Sequence, residues 1–355
     1  MQRHGKASIN IKMVWGETQV WLRRWRCAKD KLVVTSYPQG MDKSGLSPIA
    51  LERCLDLATR LPFREACSAL KVQGFEMTLS HCERLSQRYG ETLLDCLEDW
   101  RDEQELVEID EQDHQEQETF VIEVDGVMVM EKDKPVKGQC EGREVKQVLI
   151  HPLGDSSKKH HLAQACNSHA FEPYVTALLK QVGISKQTSL IAIADAAPWI
   201  DDLFEGLAVK QRILDVYHAT EYLDKVMKAL GYTAEQRQAE RASWCRGDIN
   251  ARVWFEHHLS QHRDTSGWSD EAQDALTYLQ KRFDQMDYWS FKEQGFPIGS
   301  GAIEGANKSV IGARMKRSGM RWSHHGINRM AAMRSLQTTA NPWFDFHHIR
   351  LQAFN

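Results

Sequence analysis

The chain has 355 residues, 42% of them hydrophobic and 26% charged, with a formal net charge of −4. That length allows two or three domains around a sizeable core, and the charge excludes a uniformly basic protein that coats nucleic acid along its whole surface. Eight cysteines, at 27, 54, 67, 82, 96, 140, 166 and 245, stand without a CxxC pair. They exclude a disulfide framework or a zinc site, and with no apolar run near ~20 residues and no secretory leader, the expected location is cytoplasmic.

Residues 1–45 begin the chain, with loose alternation in VWGETQVWLRRWRCAKDKLVV (15–35) that predicts a short hairpin. Residues 46–92 predict a helical domain in three pieces. SPIALERCLDLATRL opens on Ser47 as cap with Pro48 in the first turn. PFREACSALKVQG stops at Gly74 and TLSHCERLSQRYG at Gly90. Three short helices in that arrangement fit a helix-turn-helix, or equally a generic helical subdomain. An acidic linker (93–118) follows; Glu91 to Glu118 holds thirteen acids and one base, Arg101.

The period then changes. TFVIEVDGVMVMEK (119–132), EVKQVLIHPL (144–153) and HHLAQACNSH (160–169) predict three strands. FEPYVTALLKQVGI (171–184) is an amphipathic helix, SLIAIADAAPWI (189–200) a buried-type strand stopping at Asp195, and RILDVYHA (212–219) a strand running into a helix. Three strands, helix, strand, short helix, strand, helix is the order of an RNase H-like mixed α/β sheet: a meander, then two strands parallel through crossovers. The polar, strand-free stretch 231–296 reads as a helical insertion in a domain spanning 119–340, with a tail at 341–355.

Three carboxylates interrupt this pattern. Asp125 stands between Val124 and Val127 in an apolar strand, where a charge costs several kcal/mol unless paired or bound to metal. Asp125-Gly126 is equally a strong hairpin-turn signal. Asp195 ends IAIAD, and functional groups of open α/β sheets gather at carboxyl ends of strands; capping the helix at PWIDDLF competes with that role. Glu304 opens a predicted helix in GSGAIEGANKSVIGARMKRSGMRWS (299–323), four residues after Ser300 rather than the three of a capping box. An i,i+4 pair with Lys308 is its bland alternative.

From Ala306 to Arg334 there are seven Lys or Arg and no acid. Lys308, Arg314, Lys316, Arg317 and Arg321 are candidate phosphate contacts, which give affinity rather than sequence choice, and Trp322 is a candidate for stacking on bases. Asp215 and His218, at a strand-to-helix junction, suit either a helix start or assistance at a site. His160, His161 and His169 fit no zinc spacing and read as surface or strand-edge residues. Trp199 reads as core.

VIEVDGVMV, LIAIADAAPWIDDLF, ILDVYHATEYL and the glycine-rich Glu304 segment through Trp322 resemble DDE transposases of bacterial insertion sequences, specifically the ISKra family, from about residue 40 onward. The resemblance implies an RNase H-like core with a helical insertion before the glutamate. It implies a catalytic, metal-holding triad of Asp125, Asp195 and Glu304, with Mg²⁺ or Mn²⁺ as cofactor. It implies cleavage of element ends and their joining to double-stranded target DNA, in a homo-oligomer that brings two ends together. Two positions depart from the family: Asp195-Ala196-Ala197 stands where Asp-Gly-Ala is usual, and Cys27 has no partner where a zinc-ribbon segment is expected, so 1–45 reads as a degenerate remnant. A transposase-derived DNA-binding protein without full activity, and an RNase H-like nuclease that hydrolyses without joining, are the alternatives.

Overall fold

The computed structural model describes residues 1–14, 16–29, 31–35, 45–105, 118–132, 142–184, 188–259 and 265–339. The acidic run from 106 and the tail with Trp343 therefore lie outside the described residues. The chain divides into two compact units: Met1–Glu103, Met128–Val145 and Lys308–Asn355 form one, Gln104–Val127 and Lys146–Asn307 the other.

The first unit opens with β1 (Gln2–Met13) and β2 (Gly16–Arg26), an antiparallel hairpin running from Gln2↔Arg26 to Met13↔Gly16 with a register shift between Arg3 and Lys6, and β3 (Val33–Thr35) lies along β2. The sequence points to a hairpin inside 15–35. Its longer partner, β1, lies ahead of that span: Ala7, Ile9, Ile11 and Met13 alternate with Ser8, Asn10 and Lys12, but the first half, QRHGK, is exposed and polar. Next come α1 (Pro48–Arg60), capped by the Ser47 hydroxyl on the Ala50 amide at 3.3 Å, and α2 (Phe63–Val72). Gly74 then turns the chain with φ of +82°. The third helix, α3 (Leu79–Glu105), runs past Gly90, where the sequence predicts a stop. Gly90 serves a close crossing instead: a Cβ there would lie 2.8 Å from Cβ of Arg329.

The second unit carries most of a five-stranded sheet. β4 (Thr119–Met130), β5 (Gly142–Pro152) and β6 (His160–Gln164) precede α4 (Ser168–Val182), capped by Asn167 and closed by Gly183 in the left-handed region. Then follow β7 (Ser189–Ala194), α5 (Pro198–Glu205), β8 (Gln211–Leu214) and α6 (Val216–Ala229). The strand order is β6-β5-β4-β7-β8. β6 is antiparallel to β5, while β7 is parallel to both β4 and β8, as the crossover argument requires. The stretch read as an insertion is helical throughout its described residues: α7 (Ala234–Arg246), α8 (Ala251–Leu259), α9 (Asp270–Gln280), a 3₁₀ turn and α10 (Tyr288–Glu293). Several of its aromatic residues are core, while Trp289 is exposed. Trp244 is wholly buried and meets Trp254, Phe255 and Tyr288 edge-on, in one cluster with Ile191, Ile193 and Ile213 of the sheet and Leu223 of α6.

α11 (Gly301–Ala306) closes this unit. A π-helical stretch (Asn307–Gly312) continues it into α12 (Ala313–Met315), and α13 (His324–Thr338) follows. The sequence reading puts residues to 340 in the sheet domain. Instead Ala332, Met333 and Leu336 of α13 share the first unit's core with Leu51 and Leu55 of α1, Leu70 of α2, and Leu85 and Leu93 of α3.

Candidate active site

β4 is a single strand through Asp125. A two-residue hairpin at Asp125-Gly126 would need positive φ there, and Gly126 is not among the glycines that have it. β4 pairs with β7 rung by rung from Thr119↔Ser189 to Val124↔Ala194. The next residues in each strand direction are Asp125 and Asp195. In-register neighbours on parallel strands share a face, about 4.8 Å apart, so the two aspartates stand side by side just beyond the last rung. Asp195 does not cap α5 directly. That helix has Ala197 at its N-cap with no side-chain bond, and Asp195 Oδ1 accepts only the Ala197 amide at 3.3 Å. Ala196 is buried, and the only non-glycine residue with positive φ among those described is Lys31, so alanine in place of the usual glycine brings no backbone strain.

Glu304 lies exposed on the first turn of α11. Burial raises the pKa of Asp125 above the ordinary carboxylate value, and the charges of Asp195 and Glu304 add to the rise, while the Gly126 amide and the Asn307 side chain oppose it. Asp125 thus feels both of the other carboxylates. They do not close into a cage: among the described residues no three of Asp, Glu, His and Cys are gathered to hold a metal ion.

Two further acids in this unit are buried, and both anchor the Glu304 helix. Asp215 caps α6, accepting the His218 amide on Oδ1 at 2.8 Å, and its Oδ2 accepts both the amide (2.7 Å) and the hydroxyl (2.8 Å) of Ser300. The Val216 amide donates to the Ile298 carbonyl beside it. Gly299 fits because a Cβ there would press to 3.3 Å from the Tyr217 ring. Asp215 is thus a helix start that also ties down the glycine-rich segment, while the His218 ring sits edge-on to Tyr222 and Tyr278. The second acid, Glu123, is 2% exposed and lies two residues before Asp125 on the same strand face. Its Oε2 accepts the Ile303 amide at 2.8 Å, a donor left open in the first turn of α11, where the helix dipole favours an anion. Its Oε1 faces His151 Nε2 at 3.5 Å. Burial works against a charged His151, but Glu123 and the Pro152 carbonyl outweigh it and hold the pKa above the usual histidine value.

The insertion reaches this site through Tyr278 on α9. Burial pushes its hydroxyl pKa up, against the pull of Arg282, and the Asp195 charge adds to the rise. Its ring is stacked on Tyr222 at 4.0 Å, and the Arg282 guanidinium covers it at 4.1 Å while binding Asp201. Trp199 is half-buried rather than core, with the Lys146 ammonium 4.3 Å from its ring centre.

Among the candidate DNA contacts in the first unit, Lys308, Lys316, Arg317 and Arg321 are exposed and Trp322 is half-buried. Arg317 pairs with Glu65 at 2.9 Å. Arg314 is the correction: at 1% exposed it is a packing residue, donating to the Ala58 carbonyl at 3.1 Å between the rings of Phe63 and Trp322. Burial, aided by Arg317 and Arg334, lowers its pKa to about 10, so it stays charged at neutral pH. Trp322 gives its indole N–H to the Met315 carbonyl at 3.0 Å.

Sequence reasoning misses Glu123, although it too is a charge within an apolar strand. It also misses Asn307 and Gln147. Asn307 donates its amide N–H to Asp125 Oδ2 and accepts from Gln147, and Gln147 Oε1 meets His161 Nε2 at 3.0 Å. His161 is therefore not a surface residue: it is 1% exposed. His169 is exposed, as expected.

No family model matches the chain. A stretch of 140 residues, 39% of the chain, is 26% identical to the UPF0236 protein TTE2489 of Caldanaerobacter subterraneus subsp. tengcongensis, of which it covers 29%. Solved structures similar to this one are transposase complexes. The Drosophila P element transposase strand transfer complex is 10% identical, covering 81% of this chain and 78% of that one, with a TM-score of 0.28. A pre-cleavage Mos1 transpososome is 11% identical, covering 77% and 80%, with a TM-score of 0.17. The Mos1 strand transfer complex is 13% identical, covering 78% and 79%, with a TM-score of 0.16. At such low scores the likeness to transposases is distant, and the chain's own strand order and side chains describe its sheet more closely.

Proposed function

We propose that this chain is a DDE-type DNA transposase of the ISKra kind, with an RNase H-like core, acting in the cytoplasm on element ends and target DNA. The observation that carries the reading is that Asp125 and Asp195 each follow directly on Val124↔Ala194, the last rung of two parallel strands, with Asp195 and Glu304 both bearing electrostatically on Asp125. Carboxylates so placed repel one another and suit a divalent cation.

The donor set fits Mg²⁺ or Mn²⁺. Asp125, Asp195 and Glu304 offer only oxygen donors, and an open arrangement suits an ion bound through one or two carboxylates, with water and substrate phosphate completing its shell. When bound, a pair of such ions activates an attacking oxygen and stabilises the leaving one. Asp125 and Asp195 would hold the cations and Glu304 would add a third charge against their mutual repulsion, while the Asn307 amide donates to the Asp125 carboxylate. Glu123 and Asp215 fix the helix that carries Glu304. Exposed Lys308, Lys316, Arg317 and Arg321 bind phosphates, and the helices of 46–92 help recognise element ends.

The test is a cleavage and strand-transfer assay with Mg²⁺ on an end-containing duplex. Asp195→Ala is expected to reduce both steps to background, and an unimpaired variant would remove the mechanism. A precut end separates joining from hydrolysis: a nuclease without transposase activity yields no joined product.

A further inference from the structure

Gln147 and His161 are 0% and 1% exposed, the most deeply buried of the polar side chains in these two strands, which also bury Lys146, His151 and Gln164 beside Val145, Val148, Leu149, Ile150, Leu162 and Ala163. Polar side chains there weaken the core unless every one is satisfied, and an apolar residue would pack at lower cost. These two are diagonal neighbours on one sheet face, since Gln147 pairs with Ala163. Asn307 caps α11 three residues after Glu304, so one helix face carries both side chains. The hydrogen bonds run in one direction. His161 donates from Nε2 to Gln147 Oε1, which leaves the Gln147 amide N–H for Asn307 Oδ1 and the Asn307 amide N–H for Asp125 Oδ2. Each side chain fixes the orientation of the next, and the last presents a donor to the acid.

We propose that His161, Gln147 and Asn307 form a positioning chain that fixes the Asp125 carboxylate for divalent-cation binding. The inference rests on the metal-dependent reading above and assigns the three residues to it. Partners that orient a ligating carboxylate contribute about 10–100-fold in metal affinity. The chain also explains why the sheet tolerates a buried histidine and glutamine: both act on a group two and three side chains away.

The experiment titrates Mn²⁺ into the 355-residue chain without DNA, follows the free ion by electron paramagnetic resonance, and checks folding by thermal melting. Asn307→Ala, Gln147→Glu and His161→Leu are expected to weaken Mn²⁺ binding by about 10–100-fold. Gln147→Glu keeps the shape but removes the donor toward Asn307. His161→Gln places an amide donor near the Nε2 position and is expected to restore affinity close to wild type. If Asp125→Ala abolishes binding while Asn307→Ala and Gln147→Glu bind as tightly as wild type, the chain has no positioning role and the metal reading stands. If His161→Gln loses as much as His161→Leu, the histidine acts through packing and the proposal falls. If wild type and Asp125→Ala bind Mn²⁺ alike, or neither binds it at millimolar concentration, the metal reading fails and the positioning chain falls with it.

Discussion

A carboxylate's surroundings decide its use, and the acids of the second unit sort by burial. Asp215, 4% exposed, accepts from three donors and serves structure. Truncating it removes an N-cap and strands the buried Ser300 donors, so Asp215→Ala should lower the unfolding free energy by about 2–4 kcal/mol in urea titrations, with Asp215→Asn losing less. Asp125 and Asp195 are legible in the sequence because each is a charge at the end of, or within, an apolar run. Glu123 carries the same signal in VIEVD, but Asp125 two residues later offers the more obvious chemistry. Asn307, Gln147 and His161 cannot be read that way: the two Asn307 bonds span 160 and 182 residues, and a neutral amide or histidine gives no local sign of what it will meet. Arg314 shows the reverse error. Its neighbours Lys316 and Arg317 make it look like surface, and the fold turns it inward between two rings.

Among the elements, α11 is held by side chains from two separate places in the sheet: Glu123 of β4 takes its Ile303 amide, and Asp215 beyond β8 takes Ser300. Both anchors act on the first turn of the helical run that continues through the π-helical stretch, where its open backbone amides need acceptors. One anchor is pH-sensitive. His151 binds its proton more tightly folded than unfolded, so the His151–Glu123 pair contributes fully below the unfolded value near 6.5 and fades as pH rises through the higher folded value. Stability measured by urea unfolding should therefore fall across that window, and His151→Gln should flatten the dependence. An unchanged slope would show that the pair does not govern it. Element types are largely legible here because period changes mark them. Boundaries fail where glycine means closeness instead of a stop, as at Gly90, or where a strand is largely solvated, as in β1.

Taken whole, the molecule carries net charge −4 but holds one late segment, 306–334, with seven bases and no acid. DNA affinity of that origin should be salt-dependent and local. Lys308→Ala should weaken binding at low salt and make the slope of log K against log salt less negative by roughly 0.9 for each phosphate the variant leaves unneutralised. Arg314→Ala should leave that slope alone and lower the melting temperature. Equal slopes for Lys308→Ala and wild type would remove the segment from the DNA interface. The destination of α13 is not legible in the sequence, because the helix is amphipathic in no obvious direction and it joins a core laid down near the other end of the chain.

That destination sets a schedule. The core of α1, α2 and α3 is completed by Ala332, Met333 and Leu336. A ribosome finishes α3 at residue 105 and does not reach α13 until residue 324, an interval of roughly 10–40 s at ordinary rates of synthesis. Throughout it the three early helices keep an uncovered apolar face, and the whole sheet unit is made in the meantime. Helices synthesised early are therefore among the last parts to finish folding, and a chain interrupted before α13 leaves them permanently open.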